Sequence, residues 1–381
     1  MRTNGVSIGD ANLHYMAGDV NRIVPPGKRS VTWRPDKAWP GHTVDSGVTA
    51  VVTAWSTNTP PNYMVVSLQA KNTVRFYTSA DALPEPGGIA NDLYKTEYLV
   101  LRKIPAAKIE WRMGATNENG QAWSWNWNRK VAETPHVVSL SNDFYIGVYE
   151  VTQRQYEMLG FSNPSYFKGY KADYPTRPVE SVSWVDLRGS TYVWPKDGHL
   201  VSDGFIKTLR EHSGLNGFDL PTDAQYEFAC RAGHGTALYD GKSVPNPGGE
   251  DSNVNKLARY YYNGGHQDGY GSDSWYADKN CTANNGTAKV GTYAQNDFGL
   301  YDMLGNVSEW TLDWYQESPL GYDVERGPET GNTSKTHVVR GGSYGEAPYA
   351  IRCAVRTDSY AGQTARTAFV GFRLCCPAGL Q

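Results

Sequence analysis

The sequence predicts an α+β protein in which a small all-β unit precedes a larger mixed domain. Residues 1–96 hold short runs of alternating apolar residues separated by turn-rich pieces, a pattern typical of a small β-sandwich. Residues 97–381 are richer in loops, tryptophan and glycine and show few helical patterns. Pro84–Gly88 (PEPGG) lies between these two textures and indicates a linker, so we place the domain boundary at residue 96.

Composition excludes several classes of protein. The chain has 381 residues, enough for two domains, and its 36 basic and 39 acidic residues give a net charge of −3. Nonspecific nucleic-acid binding needs a basic surface, which this balance does not provide. No apolar run approaches the roughly 20 residues that span a bilayer. We therefore expect neither a nucleic-acid partner nor a transmembrane segment. The five cysteines lack the CxxC spacing of zinc fingers.

Strand and helix patterns follow one another along the chain. Strands are predicted at Ser30–Trp33, Val48–Trp55, Tyr63–Leu68 and Val74–Tyr77, and Tyr98–Ile104 (YLVLRKI) opens the second unit as a strand.

Three helices are predicted in the second unit. One begins near Thr152, a second covers Ser202–His212, and a third covers Thr222–Arg231. Thr222 and Gln225 match a capping box, in which each side chain satisfies a free backbone N–H of the first turn. Gly233 stands where a helix end favours a left-handed residue.

Residues 123–127 (WSWNW) alternate three indoles with polar residues. In an extended conformation the indoles would share one side and could form an aromatic platform for a sugar or a peptide. Alternatively, they pack against the body of a loop-rich domain.

Six motifs in the second unit occur in an order that resembles the formylglycine-generating enzyme (sulfatase-modifying factor) family. They are Phe144–Thr152 (FYIGVYEVT), Arg177–Trp184 (RPVESVSW), Leu220–Ala229 (LPTDAQYEFA), Gly299–Trp310 (GLYDMLGNVSEW), Arg340–Ser343 (RGGS) and Gly371–Leu374 (GFRL). The resemblance covers roughly residues 98–376. It implies an elaborated C-type lectin fold, but it says less about activity because function lies in the site rather than in the fold.

The resemblance also implies a metal site. In the family the segment that corresponds to Asn306–Glu309 wraps a calcium ion, and side-chain oxygens with backbone carbonyls suit a hard cation. Asn306 and Glu309 are therefore candidate calcium ligands. The alternative is that both side chains hydrogen-bond their own loop without metal. No other cofactor is expected.

The family's oxidase chemistry needs two cysteines, because copper(I) prefers soft thiolate ligands. The family places one cysteine three residues after the serine of GGS and the other five residues later. Counting from Ser343, these positions hold Glu346 and Ile351. Related sulfoxide synthases use a histidine-bound iron supplied largely by an added helical domain, whereas the β-rich residues 1–96 hold only His14 and His42. The sequence therefore predicts that the protein is not an enzyme of either kind.

The segment between RGGS and GFRL has an unusual composition. Residues 344–370 place small residues, threonine and tyrosine between arginines, with no clear amphipathic period. Loops on a rigid scaffold tolerate change, and tyrosine supplies contact area at low entropic cost. This layout resembles the variable proteins of diversity-generating retroelements, which use a C-type lectin fold and vary a C-terminal segment that ends near a GFRL-like motif.

The function we predict is non-catalytic ligand binding by a C-type lectin scaffold whose C-terminal segment 344–370 forms the binding surface and is a candidate for retroelement diversification. The expected partner is a protein or a surface glycan, and the expected location is extracellular, cell-surface or virion-associated rather than cytoplasmic. Two alternatives stay open: a formylglycine-generating or related metal-dependent oxidase, and a structural surface protein. The candidate ligand-binding residues are Tyr344, Glu346, Tyr349, Thr357, Asp358, Tyr360, Gln363, Thr367 and Phe369.

Overall fold

A computed structural model describes residues 60–115, 133–168, 174–189, 204–264, 286–316, 336–358 and 362–379. It also describes short pieces before residue 60, namely 2–3, 6–7, 16–18, 24, 28, 30–34, 48–49 and 55–56. Helices and strands both occur, which confirms the α+β prediction. None of the helices in these ranges is long and apolar enough to cross a bilayer.

The described strands begin near the N-terminus and end near the C-terminus. They are β1 Arg2–Thr3, β2 Val6–Ser7, β3 Met16–Gly18, β4 Val31–Trp33, β5 Val48–Thr49, β6 Tyr63–Ser67, β7 Val74–Tyr77, β8 Tyr98–Ile104, β9 Glu110–Met113, β10 His136–Ser139, β11 Phe144–Gly147, β12 Ser308–Trp314, β13 His337–Arg340, β14 Arg356–Thr357, β15 Val370–Gly371 and β16 Cys375–Pro377.

The helices are short and lie between β11 and β12. They are α1 Gln153–Met158, α2 Trp184–Arg188, α3 Phe205–Ser213, α4 Asp223–Arg231 and α5 Val254–Leu257.

A five-stranded sheet in the order β16-β11-β8-β6-β7 separates two hydrophobic clusters. Successive side chains of a strand point to opposite faces, so the apolar run of β8 serves both clusters. Leu99 and Leu101 lie in one cluster together with α3, while Val100 and Ile104 lie in the other together with α4. A continuous apolar run is therefore what this central strand needs, because neither of its faces meets water.

This sheet shows that the predicted domain boundary at residue 96 lies too late in the chain. β6 pairs antiparallel with both β7 and β8, with Met64 opposite Leu101. The pairing of β6 with β8 joins residues 63–77 to the second unit. Turn-forming residues such as PEPGG connect strands of one sheet as readily as they separate domains, so they do not mark a domain boundary here. Before residue 60, β1 pairs with β2 and β5, and β3 pairs with β4. That these N-terminal strands belong to a separate small β domain stays a prediction.

A second sheet of four strands, in the order β14-β13-β12-β15, carries the C-terminal motifs. The RGGS and GFRL motifs flank one strand, because Glu309 of β12 lies opposite Arg340 on one side and Gly371 on the other. Both ends of the intervening segment are thereby fixed to the same strand.

The helix ends agree with the predicted capping chemistry, with one difference. In α4 the Thr222 side chain accepts a hydrogen bond from the Gln225 backbone N–H, and the Gln225 side chain accepts one from Thr222. Thr152 and Gln155 form the same box at α1. The residue that first turns left-handed after α4 is Ala232, at φ 47°, and Gly233 follows at φ 95°. Alanine tolerates this conformation less well than glycine does.

A buried network of ion pairs joins α4 to the second sheet. Arg340 is fully buried and its guanidinium binds Asp223 and, at 2.7 Å, Glu227. Glu227 also binds Arg231 at 2.8 Å, and Asp223 binds Arg356. Burial opposes ionisation of both carboxyls, but the adjacent guanidinium groups hold their pKa values below the usual range. No local sequence pattern indicates that Asp223 and Glu227 bind buried arginines.

Truncation tests where the folded unit begins. A fragment that starts at residue 58 keeps β6 and β7, and we expect it to unfold cooperatively like the full chain. A fragment that starts at residue 97 loses five buried side chains of one cluster, namely Met64, Val66, Leu68, Val74 and Phe76. At about 1.5–3 kcal/mol each, this loss is comparable to the whole stability of a typical domain. Urea denaturation followed by circular dichroism distinguishes the two fragments. A cooperative transition in the shorter fragment would contradict the conclusion that β6 and β7 belong to the same folded unit as the residues after 96.

Replacing Arg340 by methionine is expected to destabilise the protein by about 3–5 kcal/mol at pH 7, because the buried carboxylates of Asp223 and Glu227 each lose one of the two guanidinium groups that bind them. Their folded-state pKa values are lowered in the native protein, so the stability that they contribute is lost as the pH falls. The loss of stability caused by Arg340→Met should therefore shrink at acidic pH, where the carboxyls of Asp223 and Glu227 can be protonated.

The matched control is Arg366→Met. The Arg366 side chain is 60% exposed and pairs with Asp186 at the surface. We expect a loss below about 1 kcal/mol for this pair. Equal losses for the two variants in urea denaturation would show that the buried network does not hold the fold.

Candidate functional site

Glu346 and Ile351, the positions at which the resemblance to the oxidases places copper-binding cysteines, both lie against Gly342. A Cβ placed on this glycine would lie 3.1 Å from Glu346 Oε2 and 2.6 Å from Ile351 Cδ1. Gly342 also has a φ of +73°, which favours glycine. The two positions are thus adjacent in space, but they present a carboxyl and a fully buried aliphatic side chain instead of two thiolates. Neither group is a soft ligand.

Other thiols do not restore such a site within the described residues. Cys230 and Cys353 are free, buried neighbours, and the Cys230 sulfur donates to the carbonyl of Met303 at 3.6 Å. Burial raises the pKa of the Cys230 thiol, and its neighbour Cys353 raises it further. A protonated thiol is a poor metal ligand and a poor nucleophile. Cys375 and Cys376 are also free and buried.

Glu346 is half-buried and its carboxyl is held by the backbone. Its Oε2 accepts a hydrogen bond from the N–H of Ser343 at 2.9 Å. Burial raises the pKa of Glu346 to about 7, against the effect of the Ser343 hydrogen bond. No lysine, arginine or histidine of the described ranges forms an ion pair with it. The carboxyl is therefore poised to gain or lose a proton near neutral pH.

Three tyrosines lie beside Glu346, and together these four residues are called the Glu346 face below. The Tyr261 N–H donates to the Glu346 carbonyl at 3.0 Å, and the Tyr261 and Tyr262 rings meet edge to face at 5.0 Å. Tyr262 is 37% exposed, and Tyr349 and Tyr261 are half-buried. Burial raises the pKa of Tyr349, and the charges of Glu346 and Tyr262 raise it further.

Glu346 and Tyr349 were predicted from the sequence as ligand-binding residues, whereas Tyr261 and Tyr262 were not. The run of tyrosines at 260–262 was visible in the sequence. Its approach to Glu346 depends on a contact between segments more than 80 residues apart, which no local pattern reports.

The structure corrects two candidate binding residues, Tyr344 and Gln363. Tyr344 is 1% exposed, and its ring packs 5.2 Å from the rings of both Phe167 and Phe369. Gln363 is 6% exposed and its amide nitrogen lies 3.2 Å from His337 Nε2. Both side chains belong to the interior, since the segment between the two motifs returns through the core instead of running over the surface throughout.

The other described candidates contact parts of the protein away from the Glu346 carboxyl. Thr357 is half-buried in β14 and Asp358 accepts a hydrogen bond from the Thr336 hydroxyl at 3.3 Å. Thr367 Oγ1 accepts from the N–H of Phe369 at 3.0 Å, so this pair braces its own turn. Tyr360 lies outside the described residues, as do the three tryptophans at 123–127.

The candidate calcium ligands are engaged with the protein. Asn306 Oδ1 accepts from the N–H of Ala288 at 2.8 Å, and its Nδ2 donates to Glu150 at 2.6 Å. Both carboxyl oxygens of Glu309 bind the Arg373 guanidinium, at 2.6 and 2.7 Å. A calcium ion on Glu309 would meet this guanidinium at close range and would be repelled by it. The pair Asn306 and Glu309 therefore fits the hydrogen-bonded alternative better than a calcium site.

Arg259 also has a structural role, because its guanidinium donates to the carbonyls of Gly286, at 2.9 Å, and Asn263. His337 is likewise committed to structure: its ring stacks between Trp184 and Trp314, at 4.2 and 4.1 Å. Burial lowers the pKa of His337 to about 3, so it stays neutral. Among the described residues no group of three or more metal-ligating side chains converges.

Glu346→Gln tests the protonation behaviour of this carboxyl. The folded-state pKa is raised above the unfolded value, so Glu346 costs stability increasingly as the pH rises from about 4 to about 7. The glutamine variant lacks this cost and keeps an oxygen for the Ser343 N–H. We expect it to gain stability relative to the native protein between pH 5 and about pH 8. The control Glu250→Gln, at an exposed position, should show no such trend. Parallel pH dependences in thermal melts would contradict the assignment.

Comparison with known proteins supports this account of the fold. The family of the sulfatase-modifying factor enzyme 1-like domain matches residues 110–377. The formylglycine-generating enzyme of Mus musculus is 25% identical over 279 residues, which cover 64% of this chain and 69% of that protein. Chaperone protein LppX of Paenibacillus barcinonensis is 34% identical over 195 residues, covering 47% of this chain and 64% of that protein. The match thus spans about two thirds of these relatives.

Two solved structures share the fold. Variable protein 1 of Treponema denticola aligns with a TM-score of 0.51 and 23% identity, covering 73% of this chain and 95% of that one. PvdO from Pseudomonas aeruginosa aligns with a TM-score of 0.51 and 22% identity, covering 77% and 100%. These likenesses establish the architecture, and the family match extends over more than half of the sequence. The chain therefore belongs to the sulfatase-modifying factor enzyme 1-like family.

Proposed function

We propose that this protein is a non-catalytic ligand-binding member of its family, and that the Glu346 face is its binding surface. The observation that carries the proposal is the pair Glu346 and Ile351 at the positions where the oxidases need thiolates. A carboxyl bound to a backbone N–H and a buried isoleucine offer nothing that could hold copper(I).

The arginines of the C-terminal segment support a display role. Arg352 binds Glu133 through two hydrogen bonds, at 2.7 and 2.8 Å, and Arg356 and Arg373 bind buried carboxylates. Two-pronged arginine–carboxylate pairs fix geometry strongly. Side chains between these fixed points, such as Tyr349, can then change without loss of the framework.

Diversification of residues 344–370 by a retroelement is part of the proposal. A solved structure of this fold is a variable protein, which supports the idea through architecture alone. The buried positions Tyr344 and Gln363 would be unsuitable for free variation, whereas the partly exposed position of Tyr349 would tolerate it. The proposed partner is a protein or a surface glycan, met outside the cell, at its surface or on a virion.

The experiment is a screen of the purified chain against arrays of extracellular proteins and surface glycans, repeated with Tyr349→Ala and Tyr262→Ala. Tyrosines at the centre of an interface often contribute 2 kcal/mol or more, so each variant should weaken a true interaction by at least about tenfold. The control Val137→Ala changes a side chain that is 69% exposed on the β9–β10 hairpin and should bind normally. Circular dichroism verifies that every variant is folded.

Two results would overturn the proposal. One is a partner that binds Tyr349→Ala and Tyr262→Ala as tightly as it binds the native chain, which would place recognition elsewhere. The other is conversion of a cysteine-containing sulfatase peptide to formylglycine by the native chain with copper and oxygen, detected by mass spectrometry, which would establish the oxidase alternative.

A further inference from the structure

Glu346 combines two properties: its carboxyl has no paired cation among the described residues, and the residue is only half-buried. Asp219, Asp223, Glu227, Glu309 and Glu133 each pair with an arginine. Five further carboxyls without such a pair, on Glu150, Glu180, Asp251, Asp302 and Asp313, belong to residues at most 4% exposed and are closed off from any ligand. Glu346 also lacks a cation within the described ranges, yet it is only half-buried. A shielded, uncompensated acid that solvent can reach is suited to an external cation.

The tyrosines around Glu346 also favour a cationic ligand. The Tyr262 hydroxyl donates to the carbonyl of Gly248 at 2.7 Å, and the Tyr349 N–H donates to the carbonyl of Pro247 at 3.1 Å. Consecutive backbone carbonyls thus anchor both tyrosines and hold them in place. The face of an aromatic ring is electrically negative and attracts ammonium and guanidinium groups. The aromatic faces of these tyrosines and the carboxyl of Glu346 therefore favour the same kind of ligand, a cation.

We propose that the Glu346 face binds a cationic side chain, a lysine or an arginine, presented by a protein partner. This inference rests on the proposed function and names the chemistry of its ligand. The carboxyl would accept the charge-assisted hydrogen bond, and Tyr262 and Tyr349 would contact the aliphatic stem and the charged head. A neutral glycan could stack on the tyrosines, but it would leave the carboxyl uncompensated.

The test measures the proton that a bound cation displaces. The amide resonance of Ser343, whose N–H donates to Glu346, is followed by nuclear magnetic resonance from about pH 5 to about pH 9 in the full chain. The probe is N-acetyl-lysine methylamide at millimolar concentration, and the matched control is its neutral isostere N-acetyl-norleucine methylamide. The other titratable groups at this site are the phenols of Tyr349, Tyr261 and Tyr262 and, on the adjoining segment, the carboxyl of Glu250.

We expect the lysine derivative to lower the midpoint of the Ser343 titration by at least about half a pH unit, because a nearby cation favours the ionised carboxyl. The norleucine derivative should leave the midpoint unchanged, and Glu346→Gln should abolish the titration. If the glutamine variant does not fold, the comparison of the two probes with the native chain decides alone.

Equal midpoints with the lysine and norleucine derivatives would refute the inference. A shift of the Ser343 resonance by a neutral trisaccharide, with none by the lysine derivative, would also refute it and would indicate a glycan ligand. That second result leaves the proposed binding function intact, since the array experiment with Tyr349→Ala and Tyr262→Ala tests it independently.

Discussion

The fully buried guanidinium of Arg340 is the constraint on which most of the C-terminal architecture depends. It binds Asp223 and Glu227 of α4 and donates to the carbonyls of Cys353 and Val355, at 3.1 and 2.9 Å. One side chain therefore holds a helix, a strand and the returning C-terminal segment in a single arrangement. A buried cation with five donors has few geometries that satisfy all of them, so it selects one arrangement of these elements.

Much of the secondary structure could be predicted because it depends on local chemistry. Tyr98–Ile104 was predicted with its observed bounds, and the capping box of Thr222 and Gln225 was predicted from residue types three apart. The role of Glu227 could not be predicted from the sequence: helical periodicity does not show that α4 is covered on both sides, and an acid with a buried arginine partner looks in the sequence like a solvent-facing one.

The candidate site could be predicted only in part, for a related reason. Glu346 and Tyr349 were found because they lie between recognisable motifs. Tyr344 was placed on the surface, although its ring belongs between Phe167 and Phe369, because a composition rich in tyrosine does not distinguish contact area for a partner from contact area for the core. Tyr261 and Tyr262 reach the site through tertiary contacts alone.

Glu309 lies opposite Arg340 in one neighbouring strand and opposite Gly371 in the other. The segment between these residues leaves the sheet and returns to it on the two sides of a single position, so its ends are two strand spacings apart, roughly 10 Å. Partly exposed positions of this segment, such as Tyr349, can change one by one while its two attachment points keep their places, provided that the buried side chains of Tyr344, Arg352, Arg356 and Gln363 are retained. The same geometry would let a lineage explore new surfaces at those positions, because the strand that holds both ends lies outside the segment.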